Sequence, residues 1–146
     1  MGSAGGQNHL RPVILIVEDH DALRNSLKNW LTCIFQDCGI LLARNGEDAL
    51  DKISTHAPDI VLMDVMLPGM NGIHAAGRIM EMLPHAKVIM LSIYEDAAYQ
   101  ADAAAAGTFA YVPKRKMGSE LIPMITRLLG EPAGQRIENP AEAEEK

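Results

Sequence analysis

Residues 13–21 read Val-Ile-Leu-Ile-Val-Glu-Asp-His-Asp, an apolar β-branched run that is followed at once by acidic residues. Five consecutive apolar residues predict a short strand buried on both faces, as in a parallel sheet. Apolar side chains then recur at spacings of three and four, which predicts a helix from about residue 21 to residue 37. The chain therefore begins with a strand–helix unit of the kind that builds α/β folds.

The same alternation continues along the chain. Further strands are predicted at 40–43, 59–63, 87–91 and 108–112, and helices around 49–53 and over 73–83, 97–106 and 118–129. A start of the last helix near Ser119 would place Pro123 in or near its first turn, where proline is tolerated. Five strands alternating with five helices predict right-handed βαβ units and a doubly wound parallel sheet covered on both faces.

Length and composition limit the class of protein. The 146 residues correspond to about one domain, and 48% of them are apolar. We expect a flexible N-terminal segment or tag over 1–11, the folded domain over 12–130, and a disordered acidic tail over 131–146. The formal net charge of −6 argues against direct nucleic-acid binding and against a membrane-surface helix. No secretory signal or spanning segment is apparent, so we expect a cytoplasmic protein without membrane contact.

Polar side chains follow four of the five predicted strands. Glu18 and Asp19 follow the first strand, Asp64 the third, Ser92 the fourth, and Lys114 comes soon after the fifth. Because the carboxyl ends of parallel strands meet at one edge of the sheet, we expect these side chains to converge. Taken singly, each has an ordinary structural interpretation as a helix cap, a turn residue, a strand end or a solvated charge. Their joint placement favours a functional site.

The chemistry of this set indicates phosphoryl transfer. Three adjacent carboxylates repel one another unless a cation neutralises them, and all-oxygen ligands suit Mg²⁺. A lysine ammonium and a serine hydroxyl could bind the remaining phosphoryl oxygens. The sequence contains neither GxxxxGK[ST] nor GxGxxG, so it offers no nucleotide cradle. The phosphoryl group is then expected on the protein itself, as an acyl phosphate on a carboxylate.

Four motifs carry a resemblance to a known family. They are Ile14-Leu-Ile-Val-Glu-Asp-His20, Asp59-Ile-Val-Leu-Met-Asp-Val-Met-Leu-Pro-Gly-Met-Asn-Gly72, Val88-Ile-Met-Leu-Ser92 and Gly107-Thr-Phe-Ala-Tyr-Val-Pro-Lys114. With them, residues 12–130 resemble the receiver domain of a two-component response regulator, most nearly the branch that carries helix-turn-helix output domains. The resemblance implies a flavodoxin-like (βα)₅ fold with strand order 2-1-3-4-5.

The resemblance also implies roles for the acidic residues. Asp64 takes the position of the phosphoacceptor. Glu18 and Asp19 take that of the acidic pair, which holds Mg²⁺ together with Asp64 and the backbone carbonyl of Met66. Aspartyl-nucleophile phosphatases usually carry a second acid two residues after the nucleophile, and Met66 occupies that place here. We therefore expect no enzymatic turnover.

Three further positions correspond to the family's signalling residues. Ser92 takes the switch-hydroxyl position, Lys114 that of the phosphate-pairing lysine, and Tyr111 that of the switch aromatic. Lys116 is a rival for the lysine position. The family often has proline after this lysine, in a cis bond, whereas here Pro113 precedes it.

The implied function is signal reception. A histidine kinase or phosphotransfer protein would donate the phosphoryl group, and the face formed by the fourth helix, fifth strand and fifth helix would then switch to control a partner or output domain, often in transcription. An alternative hypothesis is that the domain has the same fold but is an interaction module that works without phosphorylation. The sequence leaves open whether activation means homodimerisation or partner binding. It also leaves open whether the chain is a stand-alone receiver or part of a longer regulator.

Overall fold

The computed structural model describes residues 11–130, so all but the last residue of the predicted N-terminal segment over 1–11, and the whole predicted tail over 131–146, lie outside the described residues. The strands are β1 (Val13–Val17), β2 (Gly39–Ala43), β3 (Ile60–Asp64), β4 (Lys87–Ser92) and β5 (Ala110–Pro113). The helices are α1 (Asp21–Ile34), α2 (Gly46–Thr55), α3 (Gly72–Met82), α4 (Ala97–Ala105) and α5 (Met117–Leu129), and a 3₁₀ turn covers Lys114–Lys116. In this part of the chain no helix is both long and apolar enough to span a membrane.

All five strands are parallel and lie in the order β2-β1-β3-β4-β5, which confirms the predicted doubly wound topology. Ile14 of β1 is in register with Ile40 of β2 on one side and with Ile60 of β3 on the other. From β1 the chain goes to β2 at one edge of the sheet, and it then crosses back to β3 and continues to β5 at the other edge. The strand order therefore reverses between β1 and β3. In such sheets the crevice beyond the carboxyl ends of the strands at this point is the usual place for a ligand.

The core consists of two apolar layers, one on each face of the sheet. Leu15 and Val17 of β1 face the layer covered by α2, α3 and α4, whereas Ile14 and Ile16 face the layer covered by α1 and α5. Alternate residues of a strand point to opposite faces, and both faces are covered, so the whole run from Ile14 to Val17 is buried. Aliphatic side chains make up most of both layers.

The first helix ends earlier than predicted. It stops at Ile34 rather than near residue 37. The N–H of Phe35 still donates to the carbonyl of Leu31, but the N–H of Cys38 donates to the carbonyl of Phe35 in a tight turn. Gly39 then donates to the carbonyl of Pro12 and enters the sheet. The turn therefore uses residues that the apolar periodicity had assigned to the helix.

The fifth strand begins two residues later than predicted, at Ala110. Both the N–H and the hydroxyl of Thr108 donate to the carbonyl of Ala103, so this residue satisfies the end of α4 instead of pairing in the sheet. Gly107 before it has φ +94°, a left-handed conformation that glycine adopts at little cost and that commonly follows a helix.

The position of Pro123 also differs from the prediction. The 3₁₀ turn leads directly into α5, which begins at Met117, so Pro123 is the seventh residue of the helix rather than part of its first turn. Proline has no N–H to donate to the carbonyl of Ser119, four residues earlier. The ring lies on the exposed side of the helix, where water can reach the backbone.

Candidate functional site

The predicted polar residues meet at the carboxyl edge of the sheet. Glu18 directly follows β1, Asp64 and Ser92 end β3 and β4, and Lys114 directly follows β5. Glu18 is 3% exposed, Asp64 6% and Ser92 0%, while the side chain of Lys114 is 18% exposed. Charged groups are rarely this buried unless they are paired, so each should have identifiable partners.

The carboxylate of Glu18 is held from two directions. The ammonium of Lys114 lies 3.1 Å from Oε1, and the N–H of His20 donates to Oε2 at 3.0 Å. The N–H of Glu18 itself donates to the carbonyl of Ala43 at 3.0 Å, which extends the β1–β2 pairing to the site. Glu18 is therefore fixed by both its main chain and its side chain.

The carboxylate of Asp64 shares the same lysine. Lys114 donates to Oδ2 at 3.3 Å, and the N–H of Met66 donates to Oδ1 at 3.3 Å. Burial, followed by repulsion from Glu18, raises the pKa of Asp64 from its ordinary 3.8 to about 6, because Lys114 and the Met66 N–H offset these effects only in part. The negative charge on Asp64 is thus incompletely compensated.

Asp19 completes a cluster of three carboxylates. One oxygen from each of Glu18, Asp19 and Asp64 lies within 4.8 Å of the other two, although Asp19 itself is exposed. Three carboxylates against the single ammonium of Lys114 leave two negative charges when all are ionised. A hard divalent cation with oxygen ligands matches both this charge and this donor set.

Lys114, which the resemblance assigns to the phosphate-pairing position, lies between the two buried carboxylates. Burial alone would lower the pKa of Lys114, but Asp64 and Glu18 together raise it above its ordinary value, so the amine stays protonated at neutral pH. Lys116, the rival for this position, instead lies 4.0 Å from Glu120 on the next helix. The peptide bond before Pro113 is trans, as are all others in the described part of the chain.

Ser92 and Tyr111, the predicted switch residues, are both hydrogen-bonded to one loop residue, Tyr94. Ser92 Oγ accepts a hydrogen bond from the N–H of Tyr94 at 2.9 Å. Tyr111 donates its hydroxyl to the carbonyl of Tyr94 at 2.6 Å. The ring of Tyr94 also packs 5.6 Å, centroid to centroid, from that of Tyr99 on α4. A movement of Ser92 would therefore disturb the start of α4 and the outer side of β5 together.

Three features near the site were not predicted. Arg115 donates from Nε and Nη2 to Glu95 at 2.6 and 2.8 Å and so ties the turn after β5 to the loop before α4. A Cβ at Gly72 would lie 1.9 Å from the carbonyl oxygen of Asp64, so only glycine fits there. Arg24 is buried and bonds the main chain of Glu18. Of these three features, only that of Arg24 had a signal in the sequence, namely the acidic Asp21 three positions earlier on the same helix.

A doubly wound parallel sheet with an acidic cluster, a half-buried lysine and a strand-end hydroxyl at its carboxyl edge is the arrangement that the resemblance implied. Residues 14–126 match the response regulator receiver domain family, and the chain belongs to that family. The resemblance predicted from the sequence is therefore confirmed.

Curated relatives include transcriptional regulators. The chain is 38% identical to the transcriptional regulatory protein LnrK of Bacillus subtilis over 101 residues, which cover 69% of this chain and 46% of LnrK. It is 31% identical to the response regulator GacA of Pseudomonas viridiflava over 132 residues, or 90% of this chain and 60% of GacA. The chain thus spans about half the length of these relatives.

Solved structures agree with this assignment. The crystal structure of the response regulator TrrA from Thermotoga maritima, in complex with Mg²⁺ and BeF, superposes with a TM-score of 0.70 and 33% identity. The match covers 80% of this chain and 98% of the TrrA chain.

Proposed function

We propose that this domain accepts a phosphoryl group on Asp64 from the phosphohistidine of a histidine kinase or phosphotransfer protein. The observation that carries the proposal is the Lys114 ammonium, which lies within hydrogen-bond distance of both Glu18 and Asp64 inside a cluster with two excess negative charges. Uncompensated buried charge is costly, so a purely structural cluster would be neutral, yet the buried Glu18 and Asp64 share one ammonium and the exposed Asp19 adds a further negative charge. Here the residual charge fits a divalent cation held by the three carboxylates.

Glu18, Asp19 and Asp64 would hold Mg²⁺ through side-chain oxygens, with the backbone carbonyl of Met66 as a further ligand. Bound there, Mg²⁺ supplies charge neutralisation between the carboxylates and a phosphoryl oxygen. One carboxylate oxygen of Asp64 attacks phosphorus in line. The P–N bond of the donor breaks, and its electron pair remains on the imidazole nitrogen. Lys114 pairs with a second phosphoryl oxygen as it releases Asp64 Oδ2.

The signal would leave the site through Ser92. The Ser92 hydroxyl would donate a new hydrogen bond to a phosphoryl oxygen on Asp64, and this bond would draw the Ser92 side chain away from the Tyr94 N–H. Tyr94 is also the acceptor for Tyr111, so the loop before α4 and the outer side of β5 reorganise together. The face formed by α4, β5 and α5 thereby acquires two states, and phosphorylation sets their populations.

The role we propose is regulatory and cytoplasmic, with no catalytic turnover on a free substrate. Relatives that are transcription regulators favour control of a partner or output domain, and TrrA binds Mg²⁺ and BeF on a similar fold. The net charge of −6 argues against direct nucleic-acid contact by this chain. The oligomeric state of the phosphorylated protein distinguishes pairing of the switched face with a second copy from binding to a different partner.

The test is intact mass after prolonged incubation with acetyl phosphate and Mg²⁺. We expect one added phosphoryl group on the wild type and on the control Asp51→Asn, which changes an exposed aspartate on α2. Neither Asp64→Asn nor the wild type in EDTA should gain the mass. A wild type that remains unmodified would favour the interaction module that works without phosphorylation.

A further inference from the structure

Four polar or charged residues are buried in the described part of the chain, and three of them are Glu18, Asp64 and Ser92. The fourth is Arg24, which is 8% exposed and lies on α1, outside the cluster. Burying a guanidinium is costly unless its hydrogen bonds are satisfied, and an apolar side chain could fill the same space without that cost. Packing alone therefore does not explain an arginine at this position.

The contacts of Arg24 point to the acidic turn. Its Nη1 donates to the carbonyl oxygen of Glu18 at 2.8 Å, a buried bond across six residues. Its Nη2 donates to Asp21 at 2.5 Å, and this hydrogen bond lowers the pKa of that exposed carboxyl. The planar fork of the guanidinium thus ties the first turn of α1 to the peptide unit between Glu18 and Asp19.

Asp19 depends on that peptide unit for its position. Its carboxylate is exposed, and no hydrogen bond or ion pair to another described residue holds it. Glu18, by contrast, is fixed by Lys114 and the N–H of His20. The orientation of the Glu18–Asp19 peptide therefore decides whether the Asp19 carboxylate lies near the other two.

We propose that Arg24 is a positioning residue for the divalent-cation site, acting by locking the Glu18–Asp19 peptide through its bond to the Glu18 carbonyl. The inference rests on the proposed Mg²⁺ site and deepens it. Residues that orient metal ligands without touching the metal commonly change its affinity about 10–100-fold when replaced. A merely structural role for Arg24 would change the stability of the fold and leave the Mg²⁺ affinity of the folded protein unchanged.

The test is titration of the folded protein with Mg²⁺ alone, beside unfolding in EDTA. Arg24→Met keeps an unbranched stem and removes the fork, and we expect it to weaken Mg²⁺ binding about tenfold or more. Lys28→Gln, which removes one positive charge from an exposed site on the same helix, should bind Mg²⁺ like the wild type. Arg24→Lys keeps the charge without the fork and should fall between these two variants.

The outcomes separate the two proposals. Wild-type Mg²⁺ affinity in a folded Arg24→Met would overturn the role of Arg24 while leaving the metal site intact. If Arg24→Met does not fold, Arg24→Lys decides, and an Mg²⁺ affinity equal to the wild type would overturn the role. A wild type that binds no Mg²⁺ would instead contradict the proposed function itself. Equal weakening in Lys28→Gln would assign the effect to net charge and would also overturn the role of Arg24.

Discussion

Replacing Asp64 with asparagine should make the metal-free protein more stable at neutral pH. Asp64 is buried, and only one lysine serves both it and Glu18. Burial and the neighbouring Glu18 raise its pKa from 3.8 to about 6. Each pKa unit corresponds to about 1.4 kcal/mol, so ionising Asp64 in the fold costs up to about 3 kcal/mol. Asparagine removes that charge while Lys114 keeps its bond to Glu18.

The sign of the pH dependence follows from the raised pKa. The folded state holds the Asp64 proton more tightly than the unfolded state does, so the contribution to stability is present below pH 3.8. This contribution to the free energy of unfolding decreases as the pH rises from 3.8 to about 6, and it does not change further at higher pH. The variant lacks this loss. We expect its advantage over the wild type to be small near pH 4 and to reach about 1–3 kcal/mol above pH 6.

Urea unfolding in EDTA at several pH values, followed by the fluorescence of Trp30, measures this difference. Asp51→Asn serves as the control for loss of one exposed carboxylate. Added Mg²⁺ should reverse the order, because a cation that binds only the folded state stabilises the wild type more. Equal stabilities at pH 7.5 in EDTA, or a more stable wild type, would refute the account of an uncompensated buried charge.

Three further predictions follow from other parts of the site. Lys114→Ala should still bind Mg²⁺ and accept phosphate, but phosphorylation should change the NMR chemical shifts of the turn after β5 less than in the wild type, because the contact between Lys114 and the phosphoryl group is lost while the route through Ser92 to α4 remains. Shift changes at this turn equal to those of the wild type would contradict this. The phosphoryl group should be long-lived, since neither Met66 nor Tyr94 carries a carboxylate or amide that could orient a water or take its proton, and general-base assistance is typically worth ~10²–10⁴ in rate. The double variant Met66→Asn/Tyr94→Glu should lose phosphate faster in a mass-spectrometric time course, and an unchanged half-life would show that these side chains do not control the water. Gly72→Ala should lower the free energy of unfolding by at least about 2 kcal/mol, because its Cβ would lie 1.9 Å from a backbone oxygen. Gly118→Ala, with open space around it, should be neutral or slightly stabilising in the same urea titration.

Strands and helices whose apolar residues follow a regular pattern were predictable from the sequence. Strand β1 matches its predicted residues because a fully apolar run has few alternatives to a central strand in a doubly wound sheet. Convergence of the polar residues was also predictable, since parallel strands align their carboxyl ends. The structure places Glu18, Asp64 and Lys114 in direct contact.

Features that depend on contacts distant in sequence were not predictable. Periodicity extends α1 past Ile34 because it does not detect the turn that ends the helix. Thr108 looks like a strand residue, yet its hydrogen bonds end α4. The need for glycine at position 72 depends on the approach of another segment, and the burial of Arg24 depends on how α1 packs. These features depend on tertiary contacts, and only Arg24 has a local signal, the acidic Asp21 three positions earlier.

The most direct test of the central claim is chemical mapping of the phosphoryl group. Borohydride reduces an aspartyl phosphate to homoserine, which marks the modified residue permanently. The tryptic peptide spanning residues 53–78 contains both Asp59 and Asp64, so one fragmentation spectrum compares an exposed carboxylate with the buried one. After acetyl phosphate with Mg²⁺, we predict homoserine at position 64 and unchanged aspartate at position 59, and no conversion in EDTA. Homoserine at position 59, or equal conversion at position 64 without a divalent cation, would contradict the account.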